Sequence, residues 1–488
     1  MIEYKGLKIL NKGKGRELWY FSSLLFVFAF FTPHLVVYFF APKEKKNLVL
    51  LVSSLIFYAW GGPKYLLLLM LETFISWYFA LKMKGSKKSK LYMIVACICL
   101  LGLLAIFKYT GFFLNNLSFF IHWPSKVPTI ILPIGISFYT FQLLSYVVDV
   151  YRKEVTPQED YWKLLLYSSL FHQCIAGPIV RYETVQNEID NRKVSFNDVA
   201  YGFRRFSIGL AKKAILANSC ASITDTLLPG GIDGIHGQSA LGIWLAMICY
   251  MLQIYLDFSA YSDMAIGMGR MIGFHYLENF NYPYIAKSVQ DFWRRWHISL
   301  SSFFRDYVYI PLGGNRVSQK KWIRNMFVVW FLTGMWHGAS WNYILWGLYY
   351  LCFLLLEKFY IKDRIPDKWK HVYTLIVIFF GWIIFKYSDL SQLGAVLLGM
   401  FGIGSAGFYS MDVKTVFLSN IFFLVFSMLA CTTLGRSLHK YLLKTSNKND
   451  VVMVLYSIFD AVLPFVLMLI SVLALLGNSY NPFLYFQF

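Results

Sequence analysis

The chain has 488 residues, of which 57% are hydrophobic, 19% are aromatic and only 15% are charged, and its formal net charge is +20. Soluble chains have roughly 45–50% apolar and about 25% charged residues, so this composition excludes a disordered, coiled-coil or secreted disulfide-rich protein and indicates a surface that faces lipid. In a membrane protein, lysines and arginines in cytoplasmic loops explain the basic excess, and no nucleic-acid partner is needed.

Apolar segments long enough to cross a bilayer as helices recur along the whole chain. A helix of about 20 residues spans the hydrocarbon core of roughly 30 Å, and clear candidates lie at 19–40, 91–107, 240–258, 341–360, 413–435 and 451–476. Shorter or interrupted candidates lie at 48–60, 64–81, 130–150, 203–218, 322–337, 371–387 and 393–405. We therefore predict an all-α polytopic membrane protein with about eleven spans. A basic tail over residues 1–18 precedes a single membrane domain over residues 19–488.

Helix-breaking residues interrupt several of these segments. Gly61-Gly62-Pro63 separates two of them and predicts a hairpin, and Pro133 and Gly135 break another. Asp257 and Asp263 predict a turn within the span that begins at residue 240. Broken helices persist in a membrane where protein or a watery cavity satisfies the freed backbone groups. We therefore expect short interfacial and re-entrant helices around a central tunnel.

Basic clusters indicate which loops are cytoplasmic. Lysines within 43–46 and 82–90 flank the predicted hairpin, and a third basic block extends from Arg294 to Arg324. The positive-inside rule places all three on the cytoplasmic side. The two hairpin flanks then place the N-terminus outside, whereas the basic tail favours the opposite side.

The most informative segment reads QDFWRRWHISLSSFFRDYVYIPLGGNR and begins at Gln290. On a helix its aromatic and leucine side chains fall within one face, and its arginines fall on the other. Such a stripe predicts one helix that lies in the membrane interface, ends near Pro311 and is followed by a turn at Gly313-Gly314-Asn315. His297 is expected at the border of the apolar face.

A second segment, TGMWHGASWNYILWG, begins at Thr333 and places His337 between a tryptophan and a glycine. Gly334 and Gly338 have the small-xxx-small spacing that lets membrane helices approach closely. A histidine deep in an apolar span is costly and is by default a functional candidate. The structural alternative is that His337 donates one hydrogen bond across a helix interface and has no other role.

The two histidines admit one mechanism. A neutral imidazole can take the proton of a hydroxyl that attacks a thioester and return it to the leaving thiolate. No serine or cysteine nucleophile motif accompanies them, so direct transfer is simpler than a covalent enzyme intermediate, with transient acylation of His337 itself as the alternative. Metal-ligand spacing is also missing from the sequence, and no metal is expected. The polar residues expected to line a tunnel or to act as structural partners are Gln142, Asp149, His172, Gln173, Gln253, Asp257, Asp263 and Asn342.

These motifs together resemble the membrane-bound O-acyltransferase superfamily, and specifically its bacterial alginate O-acetylase-like branch. The segments that carry the resemblance, besides the two above, are LVSSLIFYAWG at 51–61, LPIGISFYTFQLLSYVVDVYR at 132–152, IAGPIVRY at 175–182, LDFSAYSDMAIGMGRMIGF at 256–274 and the terminal NPFLYFQF. The resemblance runs from about residue 20 to the last residue. The basic tail lies before it, and His172 stands where relatives often have proline.

The resemblance implies a fold, an activity and site residues. Short helices would surround a tunnel across the bilayer, with His337 as the catalytic residue inside it and His297 as the second family histidine. The donor would be cytoplasmic, acetyl-CoA or another acyl thioester, and no cofactor would be resident. Residues expected to bind the donor are Arg294, Arg295, Arg305, Trp296, Trp336 and Asn342. The arginines suit phosphates, and anionic lipid head groups are their equally weighted alternative.

The same resemblance implies a cellular setting. The enzyme would be a multi-pass protein of the bacterial cytoplasmic membrane that contributes to O-acetylation of an exopolysaccharide with an extracytoplasmic acetyltransferase partner. Two other functions remain open. One is D-alanyl transfer to teichoic acid from a carrier-protein thioester. The other is a non-enzymatic transporter with histidines as a proton relay, for which inverted repeats and paired intramembrane carboxylates would be expected.

Overall fold

The computed structural model describes residues 21–121, 130–174, 177–361, 364–446 and 450–477, and none of these residues lies in a β-strand. The predicted basic tail and the aromatic C-terminus lie outside the described residues. The helices of the first half are α1 (Thr32–Phe40), α2 (Lys46–Gly61), α3 (Pro63–Met83), α4 (Ser89–Ile121), α5 (Ile136–Arg152), α6 (Tyr161–Ser169), α7 (Phe171–Cys174), α8 (Tyr182–Asn191), α9 (Phe196–Ala211), α10 (Asn218–Leu227) and α11 (Ile232–His236).

The second half begins with α12, which has 32 residues against the 33 of α4. Its helices are α12 (Ala240–Met271), α13 (Val289–Arg295), α14 (Ile298–Phe304), α15 (Gln319–His337), α16 (Trp341–Leu356), α17 (Asp367–Lys386), α18 (Leu390–Gly399), α19 (Met411–Ala430), α20 (Leu434–Ser446) and α21 (Asp450–Gly477). π-helical turns precede α1 and follow α9, α14 and α16, at Leu25–Phe31, Lys212–Ala217, Arg305–Tyr309 and Glu357–Ile361.

Among the described residues, seven helices are long and apolar enough to cross a membrane: α3, α4, α12, α16 with its π-turn, α17, α19 and α21. Shorter apolar helices occur at Leu25–Phe40 and Leu390–Gly399. The prediction of an all-α polytopic membrane protein is therefore confirmed. Helices also occupy the shorter predicted segments, with α2, α5, α9 and α15 close to the expected positions.

Most predicted helix breaks lie where glycine and proline suggested them. α2 ends at Gly61 and α3 begins at Pro63, with Gly62 between them at a φ of 151°. α5 begins only after Gly135, which has a φ of 73°. The turn predicted near Asp257 and Asp263 is wrong, because α12 continues through both residues. Ion pairs with Lys213 and Lys212, at 2.9 and 2.7 Å, accommodate these carboxylates within the straight helix.

α12 is the central helix, and 72% of its most apolar window is buried within the protein. It packs along α9, where glycines bring the two backbones together. A Cβ on Gly202 would meet the backbone of Gly267, and a Cβ on Gly267 would meet the backbone of Phe206. Lipid-facing helices such as α19 and α21 are buried over only 17% and 11% of their windows. α12 therefore forms the core against which the histidine-bearing helices are placed.

The single interfacial helix predicted from residue 290 to Pro311 is wrong. α13 ends at Arg295, Trp296 is extended, His297 has a φ of 43°, and α14 then begins. Loop contacts fix this break, because the Asn281 N–H donates to Arg295 O and the Ile298 N–H donates to the carbonyl of Asn279, each at 2.9 Å. The expected aromatic stripe exists, but it faces protein. Its buried members are Phe292, Trp293, Trp296, Leu300, Phe303 and Phe304.

α15 and α16 form a tight hairpin around the Trp-His-Gly element. A Cβ on Gly334 would collide with the Tyr343 carbonyl oxygen, and one on Gly347 would collide with the Trp330 carbonyl oxygen. Gly338, just after α15, lies against the ring of Tyr343. Of the predicted pair, Gly334 brings the two helix backbones into contact, with Gly347 as its counterpart on α16, whereas Gly338 packs against a side chain.

Candidate active site

A cavity of about 1140 Å³ lies between α13, α14, α15, α16 and the start of α17, and both His297 and His337 line it. One face of α15 follows the cavity along its length, with Trp322, Met326, Trp330, Thr333 and His337 at spacings of three and four residues. At 1.5 Å per residue, the part from Trp322 to His337 extends over about 22 Å. The cavity is therefore long enough to connect one end of α15 to the other.

His337 is the last residue of α15 and lies in an aromatic surround. The ring centroids of Trp346, Trp336 and Phe385 are 4.8, 5.0 and 5.2 Å from that of the imidazole. His337 is 7% exposed, and its Nδ1 is buried with no hydrogen-bond partner among the described residues. In the structural alternative, His337 donates a hydrogen bond across a helix interface, but no acceptor for it lies among the described residues.

His297 lies in the break between α13 and α14, and its ring is oriented by a loop asparagine. Its Nδ1 is 3.2 Å from Asn279 Oδ1, which also accepts from the Ser299 N–H at 3.1 Å and the Ser299 hydroxyl at 2.9 Å. A backbone N–H can only donate, so the atom facing it is the amide oxygen, and Nδ1 of His297 must carry the proton. The Nε2 lone pair is left free and has no partner among the described residues.

His297 is held neutral. It lies outside the seven candidate spans, and burial lowers the pKa of its imidazole to about 3. Its ring meets the edge of Phe258, with centroids 4.8 Å apart, and lies 5.7 Å from the ring of Trp336. Trp336 in turn contacts His337, so one indole separates the two imidazoles. Both histidines thus line the same cavity.

The lining of the cavity is basic, and Lys358 lies at the end farthest from His337. Five basic side chains line the cavity against three acidic ones, and the basic set is Lys287, Arg294, Arg305, Lys358 and Lys370. Lys358 Nζ lies 3.4 Å above the ring of Trp322, which marks this end of α15. Lys370 and Arg305 are partly neutralised by Asp367 and Asp306 at 2.7 and 2.6 Å. Arg294 is exposed and makes no ion pair with a described residue.

The structure brings some of the expected donor-binding residues together and separates others. Arg294, Arg305 and Trp296 line the cavity with the two histidines. Arg295 does not, and instead pairs with Asp291 at 2.9 Å on its own helix. Trp336 is buried between the two imidazoles and is not one of the residues that line the cavity. Asn342 donates to the carbonyls of Ile384 and Phe385 at 3.3 and 3.0 Å, a contact between α16 and α17.

The other polar residues expected along a tunnel lie away from this cavity. His172 meets the Tyr276 hydroxyl at 2.9 Å, and Asp149 accepts from Tyr307 at 2.7 Å. Asp257 and Asp263 belong to the ion pairs of α12. Gln142, Gln173 and Gln253 are buried and also outside the lining set. The described residues contain no group of three His, Cys, Asp or Glu suited to a metal ion.

Sequence reasoning missed two residues that contact the histidine elements. Asn279 is one of two asparagines in the loop between α12 and α13, and its contacts with His297 and Ser299 distinguish it. Lys108 lies deep within the apolar run of the candidate span formed by α4, and it reaches the carbonyl of Trp336. A lysine within a membrane span is costly, so its position in an apolar run could have marked Lys108 as a functional candidate from the sequence alone.

Comparison with known proteins identifies the family. The family model described as MBOAT, membrane-bound O-acyltransferase family, matches residues 159–396, which include both histidines. The protein named "Probable alginate O-acetylase AlgI" from Pseudomonas aeruginosa is 36% identical over 396 residues, which is 79% of this chain and 75% of that protein. The chain belongs to the membrane-bound O-acyltransferase family. The resemblance seen in the sequence is thus confirmed.

Two further relatives show the range of acceptors within the membrane-bound O-acyltransferases. A "Peptidoglycan O-acetyltransferase" from Helicobacter pylori is 35% identical over 426 residues, 78% of this chain and 80% of that protein. A "Teichoic acid D-alanyltransferase" from Bacillus subtilis is 31% identical over 274 residues, 52% of this chain and 68% of that protein. This membrane-bound O-acyltransferase is therefore an enzyme, and a transporter function without chemistry is not supported.

Proposed function

We propose that this enzyme transfers acetyl groups from a cytoplasmic acyl thioester, with acetyl-CoA as the expected donor, for O-acetylation of a cell-surface polysaccharide. The observation that carries the proposal is one cavity with a basic end and a histidine at its other end. The names of the alginate and peptidoglycan relatives support the acetyl group and the polysaccharide. The relative named for teichoic acid is matched over a smaller part of the chain.

The proposed chemistry uses His337 as the general base. The acceptor hydroxyl attacks the carbonyl carbon of the thioester while His337 takes the hydroxyl proton. The C–S bond breaks, and the imidazolium returns that proton to the departing thiolate, so that an ester and a free thiol leave the site. His297 presents its Nε2 lone pair to the same space and accepts a hydrogen bond that orients the attacking hydroxyl. The aromatic surround of His337 excludes water, which would otherwise hydrolyse the thioester.

The basic end is proposed as the donor entrance. Coenzyme A carries its phosphates at one end of a long arm and the reacting thioester at the other. Arg294 and Lys358 suit the phosphates, and the aromatic length of the cavity suits the arm. This end lies beside the start of α15, where Lys320, Lys321 and Arg324 follow one another. The positive-inside rule therefore supports a cytoplasmic entrance in a bacterial cell membrane.

The acceptor side is proposed at the His337 end, about 22 Å along α15 from that entrance. A polysaccharide outside the cell would receive the acetyl group there or through an extracytoplasmic acetyltransferase partner. The lipid bilayer and the acyl donor are the remaining proposed partners. Arg295, with its own Asp291, is proposed to stabilise α13 instead of binding the donor.

The proposal is tested by replacing His337 in a bacterial host that makes an acetylated exopolysaccharide. His337→Ala is expected to insert normally and to reduce ester-linked acetate to background, because no other base is placed at that position. His236→Ala is the matched control, since His236 is exposed and contacts only a loop carbonyl at Gly404. Full acetylation by His337→Ala would contradict the assignment. Loss of D-alanine esters from teichoic acid, with acetate unchanged, would transfer the proposal to the D-alanyl reaction.

A further inference from the structure

One face of α4 holds the turn that carries His337. Its residues Lys108, Phe112 and Asn116 recur every four positions and therefore share a side of the helix. Tyr109 follows Lys108 and reaches the same neighbour. We call these four residues the α4 clasp. No part of the clasp lines the cavity, so its members do not touch the space proposed for the reaction.

The clasp satisfies backbone groups at the end of α15. A helix leaves its last four carbonyls without partners in the helix, and in α15 these belong to residues 334–337. The Tyr109 hydroxyl donates to Met335 O at 2.5 Å, and the Lys108 ammonium donates to Trp336 O. A cation at a helix C-terminus is also favoured by the helix dipole. Two carbonyls directly before His337 are thus held from outside the helix.

The clasp also holds the start of α16 on the other side of the turn. The Trp341 indole N–H donates to Asn116 Oδ1 at 3.0 Å, and its ring lies 5.5 Å from that of Phe112. Both sides of the turn after His337 are therefore attached to the same straight helix. A change in α4 would move the end of α15 and the start of α16 together.

The Lys108 amine connects its own helix, α4, to both α5 and α15. Besides Trp336 O, its Nζ donates to the Ser137 hydroxyl at 3.2 Å, just after the break at Gly135. It also lies 5.7 Å from the centroid of the Trp336 ring. A lysine within a candidate span is costly unless such partners compensate it. Ordinary packing of α4 against α15 would need only an apolar side chain here, so an amine with these partners indicates a specific task.

We propose that Lys108 and Tyr109 are positioning residues, which fix the last turn of α15 so that the His337 imidazole points into the cavity. This inference rests on the proposed role of His337. The geometry of a reacting pair must be held closely, because a misplacement of about 1 Å can cost 10²-fold in rate. Neither residue exchanges a proton with substrate. Their loss should therefore reduce kcat and leave donor binding at the far end of the cavity unchanged.

The experiment uses inside-out membrane vesicles with acetyl-CoA as the probe and release of free thiol as the readout. Lys108→Met is expected to lower kcat by about 10- to 100-fold with an unchanged KM for acetyl-CoA. Tyr109→Phe removes a single hydroxyl and should lower kcat by a smaller factor. Lys108→Arg keeps a cationic donor and should restore part of the lost rate. Rates are expressed per folded enzyme.

Two variants control for the loss of similar contacts elsewhere. Lys64→Met removes a lysine that lies 5.5 Å from the Tyr65 ring, and Tyr161→Phe removes a hydroxyl that donates to the Met70 carbonyl at 3.0 Å. Both should keep the wild-type kcat. Wild-type turnover per folded enzyme in Lys108→Met and Tyr109→Phe would overturn the proposal, as would a rise in KM with kcat unchanged. If Lys108→Met does not insert, Tyr109→Phe decides.

His337→Ala is measured in parallel so that the two proposals are separable. An active His337→Ala would remove the basis of the proposed function itself. An inactive His337→Ala together with fully active Lys108→Met and Tyr109→Phe would overturn only the positioning role.

Discussion

At the scale of single residues, the hydrogen bond of His297 decides which of its nitrogens is available. The Asn279 oxygen fixes the proton on Nδ1, and the His297 backbone has an unusual φ of 43°. A non-glycine residue in this region of backbone space costs about 1–3 kcal/mol and persists where surrounding contacts determine it. Three contacts through Asn279 supply that constraint. The strain is thus localised at a proposed catalytic group.

The low pKa of His297 gives a pH prediction. The pKa in the folded enzyme is about 3, below the ordinary value, so the imidazole stays neutral as the pH falls through 6.5. Between pH 6.5 and 3 the unfolded chain protonates this imidazole and the folded enzyme does not. The contribution of neutral His297 to folding stability is therefore complete above pH 6.5 and is lost as the pH falls from about 6.5 toward 3. The wild-type rate should therefore show no decrease near pH 6.5 that arises from His297. Initial rates of thiol release between pH 5 and 8 measure this.

Asn279→Asp tests the same hydrogen bond. The new carboxylate faces Nδ1 and stabilises the imidazolium, so the pKa of His297 rises and the rate should fall as the pH decreases through the new value. Asn281→Asp is the matched control, because Asn281 is exposed and contacts Arg295 through its backbone N–H. Identical pH profiles for wild type and Asn279→Asp would contradict the orientation assigned to His297.

At the scale of helices, the α15–α16 hairpin depends on backbone contact at glycine. Gly334 has no room for a Cβ because the Tyr343 carbonyl occupies that position. In an open helix position, replacing glycine with alanine is favourable by about 1 kcal/mol. Whether a glycine-to-alanine substitution raises or lowers the stability therefore shows whether two backbones touch at that position. Gly102, in α4, has no neighbour within 4 Å of the place that a Cβ would take, and it provides the comparison.

Gly334→Ala and Gly102→Ala should consequently have opposite effects. Overpacking at Gly334 is expected to cost about 1–3 kcal/mol and to shift the end of α15, which lowers both the midpoint of thermal unfolding in detergent and the turnover rate. Gly102→Ala should leave both unchanged or raise the midpoint slightly. Thermal unfolding and thiol release, measured on the same preparations, test the pair. Equal midpoints for the two variants would show that the hairpin is looser than described.

The hairpin and the His297 break show what a sequence can and cannot predict at this scale. The small-xxx-small spacing at Gly334 and Gly338 is a local pattern, and it gave the close helix contact at Gly334 correctly. Apolar periodicity from residue 290 gave the buried face correctly but predicted an unbroken helix. The break is selected by Asn279 and Asn281, which follow α12 and precede α13 in the chain. No local pattern encodes a contact that depends on how that loop folds back.

At the scale of the whole molecule, composition predicted the class of protein but not the place of its charges. The apolar content and the long segments gave the membrane helices, and the motifs gave the two histidines of the cavity. Of the two roles expected for Asp257 and Asp263, lining a tunnel or acting as structural partners, the structure shows ion pairs with basic residues from the chain between α9 and α10. Such pairs join residues 44 and 51 positions apart in the chain and cannot be seen from hydropathy. The same limit hid Lys108, whose partners come from α5 and α15.

The net charge of +20 becomes functional where part of it surrounds a cavity. Arg294 and Lys358 are exposed, line the cavity and belong to different helical elements. If these two side chains receive the phosphates of acetyl-CoA, reversing either charge replaces attraction with repulsion for the ground state and the transition state equally. The result should be a higher KM with an unchanged kcat. Loss of one charge-assisted contact, at about 1.5–3 kcal/mol, corresponds to a KM roughly ten- to a hundredfold higher.

Arg294→Glu and Lys358→Glu are therefore expected to raise the KM for acetyl-CoA, and added salt should raise the wild-type KM in the same direction because it screens exposed charges. Lys320→Glu is the matched control, since Lys320 is exposed at the start of α15 and lies outside the lining set. A general effect of surface charge would change all three variants alike, whereas a donor entrance changes only the first two. An equal KM in Arg294→Glu, Lys358→Glu and wild type would place the donor phosphates elsewhere and leave these cations to the lipid head groups.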